Sequence, residues 1–185
     1  MVDRAHAWQT AGQSFTWYPQ GRSGDALQIF YRCLGHPTSP AIVLLHGFPT
    51  SSYDFHLLAS DLSTDHYVCL FDFPGYGFSD KPLKGYTYTL RDDARLVDFF
   101  VQQIVSLQRF ALLTHDRGDS VGLALLAGFP AYRQLCFGMP IYKMSMEEVR
   151  WEAVFPGIAA SSSPFSAHSH PSVQNRSTLQ LIYHR

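Results

Sequence analysis

The sequence predicts an α/β fold with a mostly parallel sheet, and two kinds of segment support this prediction. Apolar runs without polar alternation, at Ala41–Leu45, 66–71 and 110–114, are typical of strands that are covered on both faces. Between these runs, residues 51–62 and 90–107 repeat apolar positions at helical spacing. Strands that alternate with helices are joined by crossover connections, which make neighbouring strands parallel.

The segment before the first apolar run is predicted to form two further strands. These strands are expected at 14–18 and 26–34, and Gly21, Gly24 and Asp25 lie between them. Glycine and aspartate favour turns because they tolerate backbone conformations that other residues avoid. We therefore expect the two strands to be joined by a turn.

Three helices are predicted in the connections between and after the apolar runs. The helix at 90–107 has one apolar face and acidic residues near its beginning, where the helix dipole favours negative charge. The helix at 51–62 precedes the second apolar run, and a shorter helix at 121–126 ends at Gly128 and Pro130.

The pattern weakens after residue 130 and predicts three regions. Residues 14–130 are expected to form the core, and 131–155 are poorly defined, with one helix around 145–154. Residues 156–185 are rich in serine, proline and histidine, which predicts a disordered tail. Within that tail, Leu179–Tyr183 can pair as a strand or extend as a free terminus.

Composition excludes several classes of protein. The chain has 185 residues, which suggests about one domain. Its 14 basic and 15 acidic residues leave no excess positive charge for binding nucleic acid. No apolar run approaches the roughly 18 residues of a membrane span, and no secretory signal is visible, so a cytoplasmic location is expected. Three cysteines without a CxxC pair argue against a disulfide scaffold and a zinc site, and no metal or cofactor is expected.

The segment after the third apolar run has the features of a nucleophile turn. A strand that turns sharply into a helix can expose a nucleophile at its apex, beside N–H groups that bind an oxyanion. Asp116 lies between the small residues Thr114 and Gly118, whereas Ser120 lies between Gly118 and Gly122 in a GxSxG pattern. Because the apolar strand ends at Thr114, the pattern favours Asp116 as the nucleophile. Ser120 remains the alternative, and a helix N-cap is the alternative role for Asp116.

Three motifs together resemble the α/β-hydrolase superfamily. They are LHGFPTSSYD at 45–54, DFPGYGFSDKP at 72–82 and THDRGD at 114–119. In order and spacing they are similar to the branch that contains epoxide hydrolases, haloalkane and haloacetate dehalogenases and mesoderm-specific-transcript-like hydrolases. The resemblance implies a three-layer αβα core that is incomplete on its C-terminal side.

The resemblance also implies a mechanism and a set of site residues. Asp116 would attack an electrophilic carbon of a small-molecule substrate, an epoxide or an organohalide, to form an alkyl-enzyme ester that a histidine-activated water then hydrolyses. The backbone N–H groups of Phe48 and Arg117 would form the oxyanion hole. The side chains of His46, Tyr53 and Arg117 are expected to contact the substrate.

The late part of the family's pattern is not recognisable in this sequence. Completing the family's sheet takes about 75 residues before any lid is counted, and fewer residues follow Asp116. The histidines beyond that point, His168, His170 and His184, are expected to be solvated tail residues. The sequence therefore predicts a truncated, catalytically incomplete hydrolase that self-associates through an exposed sheet edge. A non-catalytic interaction fragment and a serine hydrolase that uses Ser120 are the alternatives.

Overall fold

The computed structural model describes residues 4–19, 25–129, 131–132 and 179–183, the last range by its backbone alone. The strands are β1 (Gln13–Trp17), β2 (Leu27–Leu34), β3 (Ala41–Leu45), β4 (Tyr67–Phe71), β5 (Ala111–His115) and β6 (Leu179–Tyr183). The helices are α1 (Arg4–Thr10), a 3₁₀ helix (Ser52–Phe55), α2 (His56–Leu62), α3 (Leu90–Phe99), a π-helical turn (Phe100–Ile104) and α4 (Arg117–Gly128). The strands form one sheet in the order β1–β2–β4–β3–β5–β6.

The centre of the sheet is parallel and its outer strands are antiparallel. Strand β3 lies between β4 and β5, and Val43 pairs with Cys69 on one side and Leu112 on the other. Strands β1 and β2 form an antiparallel pair, β2 is antiparallel to β4, and β6 is antiparallel to β5. The predicted α/β fold class is confirmed, and its parallel part is the central three strands.

Helices cover both faces of the sheet. Val43 and Leu45 belong to an apolar cluster that includes residues of α3 and α4. Ile42 and Leu44, which point to the opposite face, belong to a second cluster that includes residues of α1 and α2. The four side chains are almost fully buried, which explains why β3 is a continuous apolar run.

Helix α1 is the element that the sequence pattern did not predict. Its only buried residue is Trp8, whose ring lies 4.1 Å from the guanidinium carbon of Arg32 and meets the edge of Tyr53. Both partners are distant in sequence, so tertiary packing rather than apolar periodicity holds this short helix in place.

The remaining predicted elements differ from the structure mainly at their ends. The predicted helix at 90–107 changes to π-helical winding after Phe99, where the N–H of Val105 donates to the carbonyl oxygen of Phe100 at 3.0 Å. Helix α4 begins at Arg117, earlier than predicted. None of the helices in the described ranges has the length and apolar character needed to cross a membrane.

Two predictions for the C-terminal region concern residues outside the described ranges. These are the helix around 145–154 and most of the disordered tail, 156–178. At Leu179–Tyr183 the backbone pairs with β5, so of the two alternatives for this segment the structure shows the strand.

Candidate active site at the turn after strand β5

The turn between β5 and α4 holds Asp116 in a backbone conformation that residues other than glycine rarely adopt. Its φ is 51° and its ψ is −113°. Such a conformation costs on the order of 1–3 kcal/mol, and residues that adopt it cluster at active sites and ligand-binding sites. The residue is exposed at the carboxyl end of a parallel strand, the edge at which open α/β sheets bind ligands.

Two glycines allow the loop after β3 to approach this turn. A Cβ atom on Gly118 would overlap the carbonyl oxygen of Leu45 and lie 3.0 Å from that of His46. A Cβ atom on Gly47 would lie 2.7 Å from the Cβ atom of Asp116. Any larger residue at either position would push the two loops apart.

The Asp116 carboxylate is hydrogen-bonded to backbone N–H groups from both loops. The N–H of Phe48 donates to Oδ2 of Asp116 at 2.7 Å, and the N–H of Arg117 also donates to this carboxylate. These two bonds lower the pKa of Asp116, because they stabilise its charged form. The Phe48–Pro49 peptide bond is cis. The structure thus brings together Asp116 and the two amides that the resemblance assigns to the oxyanion hole.

The Arg117 side chain is held by residues of the protein. Its Nη2 atom donates to the Asp93 carboxylate and, at 3.1 Å, to the carbonyl oxygen of Tyr88. Asp93 is buried and also accepts a hydrogen bond from the Tyr86 hydroxyl. Burial raises the pKa of Asp93, against the opposing effects of Tyr86 and Arg117. The part of Arg117 that meets Asp116 is therefore its backbone amide, and its guanidinium is engaged elsewhere.

His46 is the first residue after β3, and its ring is buried. The N–H of Phe73 donates to Nε2 of His46 at 3.0 Å, so the proton must be on Nδ1, which donates to the carbonyl oxygen of Gly47 at 2.8 Å. Burial lowers the pKa of His46 and keeps the ring neutral. Both nitrogens are used to join the loops after β3 and β4, so neither is available to a substrate.

Tyr53 belongs to the 3₁₀ helix, and its ring packs between residues of α1 and α2. Its ring stacks on His56 with 4.4 Å between the ring centroids and meets the edge of Trp8 at 5.9 Å. These contacts account for its half-buried ring without a substrate. Of the three side chains expected to contact substrate, none is seen bonded to Asp116.

Asp72 connects the loop after β4 to the loop after β3. It is fully buried, and its two oxygens accept hydrogen bonds from the N–H groups of Ser52 and Phe78, each at 2.7 Å. A Cβ atom on Gly77 would overlap this carboxylate, so the glycine is needed there. Asp72 satisfies backbone donors, as its position in a glycine-rich loop predicts.

Ser120, the alternative nucleophile, lies within the first turns of α4 and is exposed. The apex of the turn is occupied by Asp116. The backbone geometry therefore matches the prediction that Asp116, and not Ser120, lies at the apex of the turn.

Two ionisable neighbours of Asp116 were not predicted as site residues. His115 is half-buried at the end of β5, and its positive form would favour the charged form of Asp116. Asp119 hydrogen-bonds to Thr114, and burial raises the pKa of Asp119. Both residues are adjacent in sequence to the nucleophile turn, but sequence spacing alone does not show which way their side chains point. His168, His170 and His184 lie outside the described residues.

Comparisons with known proteins agree with this architecture. Residues 40–132 match a family model described as the alpha/beta hydrolase fold. The mesoderm-specific transcript homolog protein of Bos taurus is 39% identical over 132 residues, which cover 69% of this chain and 37% of that protein. The fluoroacetate dehalogenase of a Burkholderia species is 29% identical over 112 residues, 57% of this chain and 36% of that protein.

A solved structure shows the same arrangement. A candidate epoxide hydrolase from Pseudomonas aeruginosa has a TM-score of 0.53 and 29% sequence identity, over 65% of this chain and 38% of that one. The chain therefore spans little more than a third of the length of the relatives it matches.

Proposed function

This chain belongs to the alpha/beta hydrolase fold family, and we propose on that premise that Asp116 attacks an electrophilic carbon of a small-molecule substrate. The carbon carries an epoxide oxygen or a halogen, and the product of this step is an alkyl ester of Asp116. The observation that supports this most directly is the exposed Asp116 carboxylate at a strained turn, with the Phe48 amide 2.7 Å from Oδ2.

The hydrogen bond from Phe48 distinguishes the two oxygens of the Asp116 carboxylate. Phe48 holds Oδ2, so the other oxygen is the one that donates an electron pair to the substrate carbon. As this carbon–oxygen bond forms, the bond to the leaving group breaks, and a halide leaves or the epoxide oxygen takes up a proton from water. In a later hydrolysis, Oδ2 would carry the negative charge of the tetrahedral intermediate, beside the Phe48 amide that already donates to it.

The hydrolytic step needs a base that activates water. In the described part of the chain, no imidazole hydrogen-bonds to the Asp116 carboxylate, whose bonded partners are the amides of Phe48 and Arg117. We therefore assign to this chain the formation of the ester, and we expect the ester to accumulate.

Mass spectrometry after incubation with styrene oxide tests the proposal. The intact protein should gain one styrene oxide unit per chain, and peptide analysis should locate it on Asp116. Asp116→Asn should lower the rate of adduct formation on the order of 10³-fold or more, because an amide oxygen is a poor nucleophile. The exposed carboxylate of Asp65 provides the matched control, since Asp65→Asn should leave the adduct unchanged.

The other outcomes identify the alternatives. Adducts spread over many carboxylates would show that Asp116 has no special reactivity. Labelling of Ser120 by a fluorophosphonate would favour the serine hydrolase. The absence of both modifications in a folded sample would favour a non-catalytic interaction protein.

A further inference from the structure

Cys33 and Cys69 face each other on neighbouring antiparallel strands, β2 and β4. The N–H of Asp72 donates to the carbonyl oxygen of Phe30 at 2.9 Å, so these two residues form a hydrogen-bonded pair of the ladder. Hydrogen-bonded and non-hydrogen-bonded pairs alternate along an antiparallel ladder, which makes Cys33 and Cys69 a non-hydrogen-bonded pair. Such pairs have Cα atoms about 4.5 Å apart, which is within the range that a disulfide bond can span.

The two cysteines are free and pair directly across the two strands. Both cysteines are free, and the Cys33 sulfur is hydrogen-bonded to the Cys69 thiol and to the Tyr67 hydroxyl. These hydrogen bonds lower the pKa of Cys33. The hydrogen bond to Cys33 and burial together raise the pKa of Cys69. The lowered pKa of Cys33 agrees with its greater exposure to solvent.

Solvent access also favours reaction at Cys33 over reaction at Cys69. Cys69 is fully buried, whereas Cys33 is half-buried and lines a cavity of about 160 Å³ together with Tyr31, Tyr67 and Val105. A water molecule occupies about 30 Å³ in the liquid, so a small peroxide fits in this cavity. A reagent in the cavity would reach Cys33 before Cys69.

We propose that Cys33 is an oxidation site for small hydroperoxides and that Cys69 converts the oxidised Cys33 into a cross-strand disulfide. The Cys33 thiolate attacks a peroxide oxygen, the O–O bond breaks, and Cys33 becomes a sulfenic acid while hydroxide or an alkoxide leaves. The Cys69 thiol then attacks the Cys33 sulfur, the S–S bond forms, and the sulfenic hydroxyl leaves as water with the Cys69 proton. Overall, two thiols are oxidised and one peroxide is reduced to two waters, or to an alcohol and water.

Peroxide treatment of the folded full chain tests the inference. After exposure to equimolar hydrogen peroxide and blocking of free thiols, non-reducing peptide mass spectrometry should show the Cys33 and Cys69 peptides joined, with the loss of two hydrogen atoms. A thiol reductant should restore both free thiols. In Cys69→Ser, Cys33 should remain a sulfenic acid that dimedone traps. Dimedone labelling of Cys33→Ser should be at least about tenfold lower than that of Cys69→Ser.

Two controls separate the proposed pair from general thiol oxidation. Cys136→Ser should form the Cys33–Cys69 bond at the wild-type rate. The urea-unfolded wild-type chain should form all three pairings, with only the modest bias toward shorter loops that loop closure gives. This tests the role of the fold even where a variant is unstable. Peroxide oxidation of the folded wild type without a Cys33–Cys69 bond, or with bonds mainly through Cys136, would overturn the proposal.

Discussion

Asp116 has a carboxylate whose pKa is lowered from the ordinary value of 3.8 by the amides of Phe48 and Arg117. A lowered pKa keeps the carboxylate ionised at all pH values above the ordinary aspartate range. The rate of Asp116 alkylation by styrene oxide should therefore be constant from pH 8 down to about pH 5 and fall only below about pH 4. Adduct formation measured against pH, with Asp116→Asn as the background, checks this expectation. A rate that falls with a midpoint near pH 6 would show that another group controls the reaction.

Asp93 and Arg117 form an ion pair in which the carboxylate is buried and the guanidinium is mostly buried. Removing the charge of one partner leaves the other uncompensated in a poorly solvated place. Asp93→Asn should therefore lower the free energy of unfolding by about 3 kcal/mol in urea denaturation. Asp61→Asn, at an exposed position, should change it by less than about 0.5 kcal/mol. An Asp93→Asn variant as stable as the wild type would mean that the pair contributes nothing net.

At the turn after β5, the sequence predicted the positions of backbone groups better than the partners of side chains. The backbone amides of Phe48 and Arg117 lie beside Asp116 as expected, because their positions follow from the turn and from the neighbouring strand. The side chains of His46 and Arg117 were expected to face a substrate, but both are bonded inside the protein. Their partners, Phe73 and Asp93, are distant in sequence, and no local pattern indicates such pairings.

The contact between α4 and β3 depends on the glycine at the second position of the helix. A Cβ atom on Gly118 would overlap the carbonyl oxygen of Leu45, a backbone atom that cannot move without the strand. Gly118→Ala should therefore lower the free energy of unfolding by about 2 kcal/mol, within the usual range for overpacking. It should also slow Asp116 alkylation, because α4 begins at the nucleophile turn.

Gly128, at the other end of the same helix, provides the matched control. A Cβ atom there would contact nothing within 4 Å. Gly128→Ala should be neutral or stabilising by up to about 1 kcal/mol, because alanine has the higher helix propensity. Thermal unfolding should show a lower midpoint temperature for Gly118→Ala and an unchanged or higher one for Gly128→Ala. Equal losses of stability would show that the Gly118 contact is not specific.

Elements with strong periodicity were predicted well and elements held by distant contacts were not. Strand β3 has the predicted ends because its apolar run is bounded by proline and by a His-Gly turn. Helix α1 has no such signal, since Trp8 is buried by contacts with Arg32 and Tyr53. The π-helical turn after Phe99 preserves the apolar face of α3, so apolar periodicity does not distinguish it from a continuous helix.

At the scale of the whole molecule, the described residues place no base on the Asp116 carboxylate, and we expect the proposed reaction to stop at the ester. The styrene oxide adduct on Asp116 should persist for hours in buffer, with no continuous release of diol. Added imidazole, a soluble substitute for a histidine base, should accelerate the release of the adduct. Steady release of diol without imidazole would show that the chain contains its own base. Chromatography of the diol, with Asp116→Asn as the blank, measures both outcomes.

The fold of the whole molecule was easier to predict than its chemistry. Its class follows from alternating apolar runs and helices, and the family match over residues 40–132 covers β3 to α4, the segment that contains all three motifs. The identity of the substrate depends on side chains around a cavity, and the described residues at the turn provide mainly backbone groups. Backbone geometry is shared by many members of a fold and therefore does not define the substrate.

The close approach of Gly47 to Asp116 makes the reactivity of one carboxylate a measure of sheet assembly. The two residues follow different strands, β3 and β5, and the Phe48 amide reaches Asp116 only while those strands remain paired. A chemical probe that reacts with Asp116 would therefore report, chain by chain, which molecules in a mixed sample have built the centre of the sheet. Molecules that have separated these strands would go unlabelled even if their helices persisted.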